Sequence, residues 1–229
     1  MDMYSNKANS FAQKTTLTLI ELGLIIVSWF VLFGGGDQML FSAFGWPEPV
    51  ALEERRWVIL GFNIVILMRM AVMMFVFLKR RIPWAEVGSV PMAFALYYVG
   101  FAVLVLTNPN PLGIVDWIAI GLFALGCYLN TGSELQRHFY KADPSNKGKL
   151  YTGGLFKHSM HINFFGDVVW VFAYALIAGN LIGFAIPLML LAMFMFFNVP
   201  KLDDYLRDRY GEPFKAYEAK TKRLIPFVW

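Results

Sequence analysis

The stretch WVILGFNIVILMRMAVMMFVFL (Trp57–Leu78), closed by Lys79-Arg80-Arg81, decides the fold. It runs for 22 residues with a single charge, Arg69. A helix needs about 20 apolar residues to cross the hydrocarbon core of a bilayer, so this segment reads as a span. The same test picks out Thr16–Phe33, Val90–Leu106, Leu112–Leu129, Phe164–Ala178 and Leu181–Val199. Only Gly179-Asn180 separates the last two, which predicts a tight helical hairpin. The expected fold class is all-α integral membrane, with about six transmembrane helices plus short cytoplasmic helices.

Composition points the same way. Apolar residues make up 58% of the chain and charged residues 16%, whereas a soluble domain carries about a quarter charged residues. The abundant Phe and Met suit lipid-facing and adaptable packing surfaces. The single cysteine, Cys127, excludes an intramolecular disulfide and a cysteine-rich zinc site. The first apolar run lacks a small-residue cleavage site and is long enough to span, so it reads as a span and not as a signal peptide. No repeat, low-complexity segment or linker interrupts the chain, and one membrane domain over residues 1–229 is expected.

Orientation follows from the basic residues near the span ends. Lys79-Arg80-Arg81 marks the end of the second span as cytoplasmic, and Asn108-Pro109-Asn110-Pro111 carries no basic residue. Arg137, Lys141, Lys147, Lys149 and Lys157 return the chain to the cytoplasmic side, as do Lys201, Arg207, Arg209, Lys215, Lys220, Lys222 and Arg223 in the tail. Both termini are then cytoplasmic. Arg55 and Arg56, beside Glu53 and Glu54, are the exception to the pattern. The bland reading of any one basic residue is orientation and contact with anionic lipid headgroups; no nucleic-acid partner is expected.

Polar residues inside the spans carry more information. Arg69 lies ten residues before Lys79, about 15 Å deeper along a helix. A charge at that depth is costly unless it is paired or faces a wet cavity, so its default reading is functional. Glu21, Asn63 and Asp167 share that status. Pairing of Arg69 with Glu21 or Asp167 is the structural alternative, and such a pair would still line an internal polar cavity.

Between the fourth and fifth spans stand Asn130-Thr-Gly-Ser-Glu134, Gly153-Gly-Leu-Phe156 and Asn163-Phe-Phe-Gly-Asp167, and the chain ends in Leu224-Ile-Pro-Phe-Val-Trp229. These elements, in this order, resemble the C-terminal domain of the steroid 5-alpha-reductase family. The run Tyr210-Gly-Glu-x-Phe-x-x-Tyr217 looks like the tail of the related sterol C14 reductases. The resemblance covers Cys127 to Trp229 well and the first half only loosely. It implies NADPH-dependent reduction of a carbon–carbon double bond in a lipophilic, steroid- or isoprenoid-like enone, with the nucleotide bound from the cytoplasmic side. Residues 1–129 then form a substrate-side half and 130–229 a cofactor-binding half.

Carried over residue by residue, the resemblance makes Asn130 and Asn163 amide ligands of the nucleotide and Glu134 and Asp167 acidic ones. Tyr210 matches a cofactor-contacting tyrosine. Lys141 and Lys149 fall where the family places arginines, although lysine lacks the planar fork. Independently of the family, NADPH phosphates call for the Lys and Arg that the Arg137–Lys157 segment and the tail supply. The family's proton donor is a Glu–Tyr pair from the N-terminal half. Aligning Arg69 with the family's arginine puts Ile66 where the tyrosine belongs, so Glu21, Tyr97 and Tyr98 are the candidates, with Glu21, Arg69 and Tyr98 as the catalytic set. For the tyrosines the alternative is interfacial or core packing.

The bacterial form of the Asn-centred motif begins Arg-His-Pro, whereas Met160-His-Ile-Asn163 stands here. His158 and His161 could share a helix face, but no further ligands follow at metal spacing and no metal is expected. Polar contacts at the rim of the cofactor site are the reading for both. Isoprenylcysteine carboxyl methyltransferases share a similar C-terminal architecture but use S-adenosylmethionine, keep Arg-His-Pro and usually lack an acid where Asp167 stands. That class is the alternative; a non-catalytic lipid-binding membrane protein is the second alternative.

Overall fold

The computed structural model describes residues 9–229, and the regular elements in them are helices. In chain order these are α1 (Phe11–Phe33), α2 (Gly36–Phe44), α3 (Glu53–Phe77) and α4 (Trp84–Val105). Then follow α5 (Ile114–Ala142), α6 (Ile162–Ala178), α7 (Leu181–Tyr210) and the short α8 (Glu212–Glu218). Among the described residues, α1, α3, α4, α5 and α7 are long and apolar enough to cross a membrane, and the chain is a multi-pass membrane protein.

Against the expected total of about six, the described residues hold five full-length spans and one shorter apolar helix. The segment Phe164–Ala178 lies in α6, which has 17 residues. At 1.5 Å per residue that is about 26 Å, against about 30 Å of hydrocarbon. Its C-terminus is set by Gly179, whose positive φ of 61° closes the helix with a bond from its N–H to Ala175 O. Boundaries also move, most of all at two C-terminal ends. The segments Leu112–Leu129 and Leu181–Val199 continue as helix to Ala142 and Tyr210. Hydropathy marks where a helix turns polar, and good helix formers such as Glu134, Leu135, Gln136 and Arg137 carry it onward.

The chain forms two compact units: residues up to Ala119 with Tyr174–Phe184, and Ile120–Ala173 with Ala185–Trp229. In the first, Leu32, Ile59, Ile66, Phe101 and Tyr174 are fully buried, and Leu17, Met74, Ile82 and Val87 form a cluster of their own. In the second, Phe156, Trp170, Phe214 and Leu224 are buried. Large apolar side chains such as Ile26, Trp29, Met68, Phe196 and Phe197 stay exposed, a surface that suits lipid and not water.

Arg55 and Arg56, the exception to the basic-residue pattern, have structural partners in the first unit. The Arg55 guanidinium is 3% exposed and forms a bidentate pair with Asp116 at 2.6 and 2.8 Å. It also donates to the carbonyls of Asn110, Pro111 and Ile177. Arg56 pairs with Asp37 at 2.8 Å and donates to the Leu32 carbonyl.

Among the described residues, π-helical turns close α3 (Met73–Phe77) and interrupt α4 (Leu96–Gly100), α5 (Tyr128–Gly132) and α7 (Phe194–Asn198). The last lies just before Pro200, which has no N–H to return to the Phe196 carbonyl. Each widened turn accommodates one extra residue and re-aims the side chains around it; such turns recur at functional sites. Two of them hold Tyr98 and Asn130.

Candidate functional site

In the first unit the chain buries polar atoms that it does not satisfy. Glu21, on the inner face of α1, is fully buried, and neither carboxyl oxygen has a hydrogen-bond partner among the described residues. The Tyr98 hydroxyl, carried by the π-turn of α4, is equally buried and equally without a partner. Tyr98 lies within electrostatic reach of both Glu21 and Arg69, the latter half-buried on α3. Leaving one such group unsatisfied costs about 1–3 kcal/mol, so two of them within electrostatic reach of each other ask for an explanation beyond packing. Tyr97 packs its ring edge-on to Phe94 at 5.6 Å. Ile66 is fully buried in the core.

In the second unit the polar residues of α5 and α6 bond to one another. Asn130 Nδ2 donates to Asp167 Oδ1 at 2.9 Å and to the Asn163 carbonyl at 3.1 Å. Asn163 Nδ2 donates to Glu134 Oε1 at 2.9 Å, and Arg137, one turn along α5, pairs with the Glu134 carboxylate. Trp170 Nε1 donates to Asp167 Oδ1 at 2.8 Å. Asn130, Glu134, Asn163 and Asp167 thus form one network. Two glycines allow it. A Cβ on Gly166 would sit 2.6 Å from the Asn130 nitrogen, and one on Gly126 would sit 2.5 Å from the Trp170 nitrogen. Only bare backbone lets the two helices approach this closely.

Lys149 and Tyr210 line a cleft of about 410 Å³ together with Tyr140, Thr152, Arg209 and Pro213. Its wall is the loop after α5. Asp143 accepts from the Ser145 N–H at 2.8 Å, which holds its carboxyl below the usual carboxylate range, and Asn146 Nδ2 donates to the Tyr140 carbonyl. Tyr140 packs on Tyr151 with ring centroids 4.7 Å apart. Arg209 lies over the Tyr210 ring at 5.7 Å. Lys141 is exposed at the end of α5 and is not among the residues lining this cleft. Arg209 was visible in the sequence only as one more basic residue of the tail.

His161 is not a rim residue. It is 2% exposed, with Nε2 2.8 Å from Asp203 Oδ1, and Arg223 Nε lies 3.4 Å from the other oxygen of Asp203. The backbone N–H of His161 donates to the Arg223 carbonyl, that of Met160 to Lys222, and Ser159 Oγ to Leu224. The tail is therefore tied to the segment that opens α6, just before Asn163. Tyr217 adds a second tie by donating to the Phe156 carbonyl at 2.5 Å; burial, with the Asp203 charge, raises its hydroxyl above the ordinary tyrosine value. Asp203 escaped the sequence reading because an acid in a charged helical run looks solvated. His158 is exposed, with its ring 6.2 Å from that of Phe227.

Comparison with known proteins adds three findings. Residues 90–221, more than half of the chain, match the family described as protein of unknown function (DUF1295). The chain is similar to a probable O-methyltransferase of Ustilaginoidea virens, 38% identical over 93 residues that cover 39% of this chain and 33% of the relative. It is also similar to the Delta(14)-sterol reductase of Schizosaccharomyces pombe, 33% identical over 140 residues, 53% of this chain and 32% of the relative. It spans about a third of the length of these two curated relatives.

Proposed function

We propose a reaction on this premise: the chain belongs to the DUF1295 family, a steroid 5-alpha-reductase C-terminal-like family. It is an NADPH-dependent membrane reductase of a carbon–carbon double bond in a lipophilic, steroid- or isoprenoid-like enone. The observation that carries this reading is the unpartnered acid pair, Glu21 and Tyr98, beside Arg69. Reduction of an enone needs an acid in a dry site; methyl transfer to a carboxylate does not. The similarity to a sterol reductase supports the same side. The similarity to an O-methyltransferase supports the second reading, transfer of methyl from S-adenosylmethionine.

The residues of the second unit suit a dinucleotide. Lys149 and Arg209 bring positive charge for phosphate, and the rings of Tyr140 and Tyr210 offer flat apolar surface. The cleft volume falls within the range of about 300–1,000 Å³ usual for small-molecule sites. Asn130, Glu134, Asn163 and Asp167 supply amide and carboxylate groups for ribose and nicotinamide, and Lys141 provides a further cation nearby in sequence. The basic residues flanking the spans support an orientation with both termini and this cleft facing the cytoplasm.

When bound, NADPH supplies a hydride for the β-carbon of the enone. Tyr98 hydrogen-bonds the carbonyl oxygen on which negative charge grows, and Arg69 stabilises that charge. The Glu21 carboxyl supplies a proton to the α-carbon as the hydride reaches the β-carbon, and solvent returns a proton to Glu21. The product is the saturated ketone. The test uses the full chain in lipid nanodiscs with a 4-ene-3-ketosteroid, nicotinamide-deuterated NADPH and S-adenosylmethionine, followed by mass spectrometry. A product carrying the deuterium is expected. A methylated product formed from S-adenosylmethionine, with no deuterium transfer, would reverse the assignment.

A further inference from the structure

Asn63 lies in the middle of α3, six residues before Arg69, and is fully buried. Its amide engages three other helices. Nδ2 donates to Ser28 Oγ on α1 at 2.9 Å and to the Tyr98 carbonyl on α4 at 3.3 Å. Oδ1 accepts from the Tyr174 hydroxyl on α6 at 3.0 Å. Both N–H donors and the oxygen are in use, and Ser28, Tyr98 and Tyr174 are themselves fully buried. Ser28 sits seven residues beyond Glu21 on α1, about two helical turns. One side chain therefore links α3, which carries Arg69, to the two helices that carry Glu21 and Tyr98.

The bond to α4 has a particular target. The Tyr98 carbonyl belongs to the π-turn Leu96–Gly100, in which the Phe101 N–H reaches back five residues to Leu96 instead of the usual four. A widened turn of this kind sets the direction of the side chains it carries, and it persists where outside contacts support it. A leucine would fill the same space as Asn63 and supply none of these bonds. We propose that Asn63 is a positioning residue for the Glu21–Arg69–Tyr98 centre. It holds the π-turn of α4 and so aims the Tyr98 hydroxyl at Glu21. This rests on the reading of Glu21 and Tyr98 as the acid pair.

The test needs no substrate. 3-Fluorotyrosine is placed at position 98 of the full chain in lipid nanodiscs, and its fluorine resonance is recorded with and without Glu21→Gln. A shift on Glu21→Gln is expected; an unmoved resonance would overturn the acid pair itself. In Asn63→Leu the resonance should broaden or split, and its response to Glu21→Gln should be lost. A single line with the Glu21 response intact would overturn the positioning role alone, even if the unfolding temperature drops, since a merely structural asparagine predicts that outcome. Should Asn63→Leu fail to fold, Tyr174→Phe and Ser28→Ala each remove one arm of the amide. At least one of them should weaken the Glu21 response, and an undiminished response in both would reject the proposal.

Discussion

Arg55 and Glu21 are both ionisable, both buried in the first unit and both on helices that span the membrane, yet only one is satisfied. Arg55 meets a carboxylate through two bonds and three carbonyls besides. Glu21 meets nothing with either oxygen among the described residues. The difference separates two reasons for burying charge in a bilayer. A group whose every donor is taken holds helices together. A group left with open valences beside another of the same kind is available to a ligand.

The largest effect should come from breaking the satisfied pair. Arg55→Ala leaves Asp116 buried without its partner and should lower stability by about 3–5 kcal/mol, read as loss of folded protein in nanodisc unfolding. Glu21→Gln should do the opposite. It keeps the shape and removes the acid, so the unfolding midpoint should hold or rise while deuterium transfer falls by about a hundredfold or more. If Glu21→Gln destabilised the fold as much as Arg55→Ala, the contrast between the two would collapse.

The second unit offers a sharper version of the same test. Gly166→Ala should cost about 1–3 kcal/mol, because its methyl group would meet the Asn130 backbone. It should also weaken NADPH binding, by displacing the Asn130–Asp167 bond; a variant with native affinity would separate that network from the cofactor. The smallest effect concerns Glu218, whose carboxyl is held below its usual value of 4.5 by hydrogen bonding to Arg223 and then Arg207. A depressed carboxylate contributes stability that is fully present above the unfolded pKa and is lost as pH falls through the folded one. The pair is partly exposed, so well under about 1 kcal/mol should disappear below about pH 4.5, and Arg223→Ala should flatten that slope.

What was legible in the sequence follows from the same physics. Hydropathy over twenty residues is a strong signal, and α1, α3 and α4 fall where it marks them. It missed the shortness of α6 and the polar extensions of α5 and α7, because it reports solvent preference and not where hydrogen bonding ends. Glu21, Arg69 and Asn63 stood out because polar residues are rare inside spans. The π-turns at Tyr98 and Asn130 did not, since one extra residue in a helix leaves an apolar run looking the same. His161 and Asp203 were misread or missed because their partnership spans 42 positions and neither residue sits in an unusual local pattern.

The most direct measurement is a fluorescence titration of the purified full chain in nanodiscs with NADPH, run beside S-adenosylmethionine. Saturable NADPH binding, abolished by Asn163→Ala and by Asp167→Ala with the fold intact, is the expected result. Saturable S-adenosylmethionine binding by a protein indifferent to NADPH would contradict it.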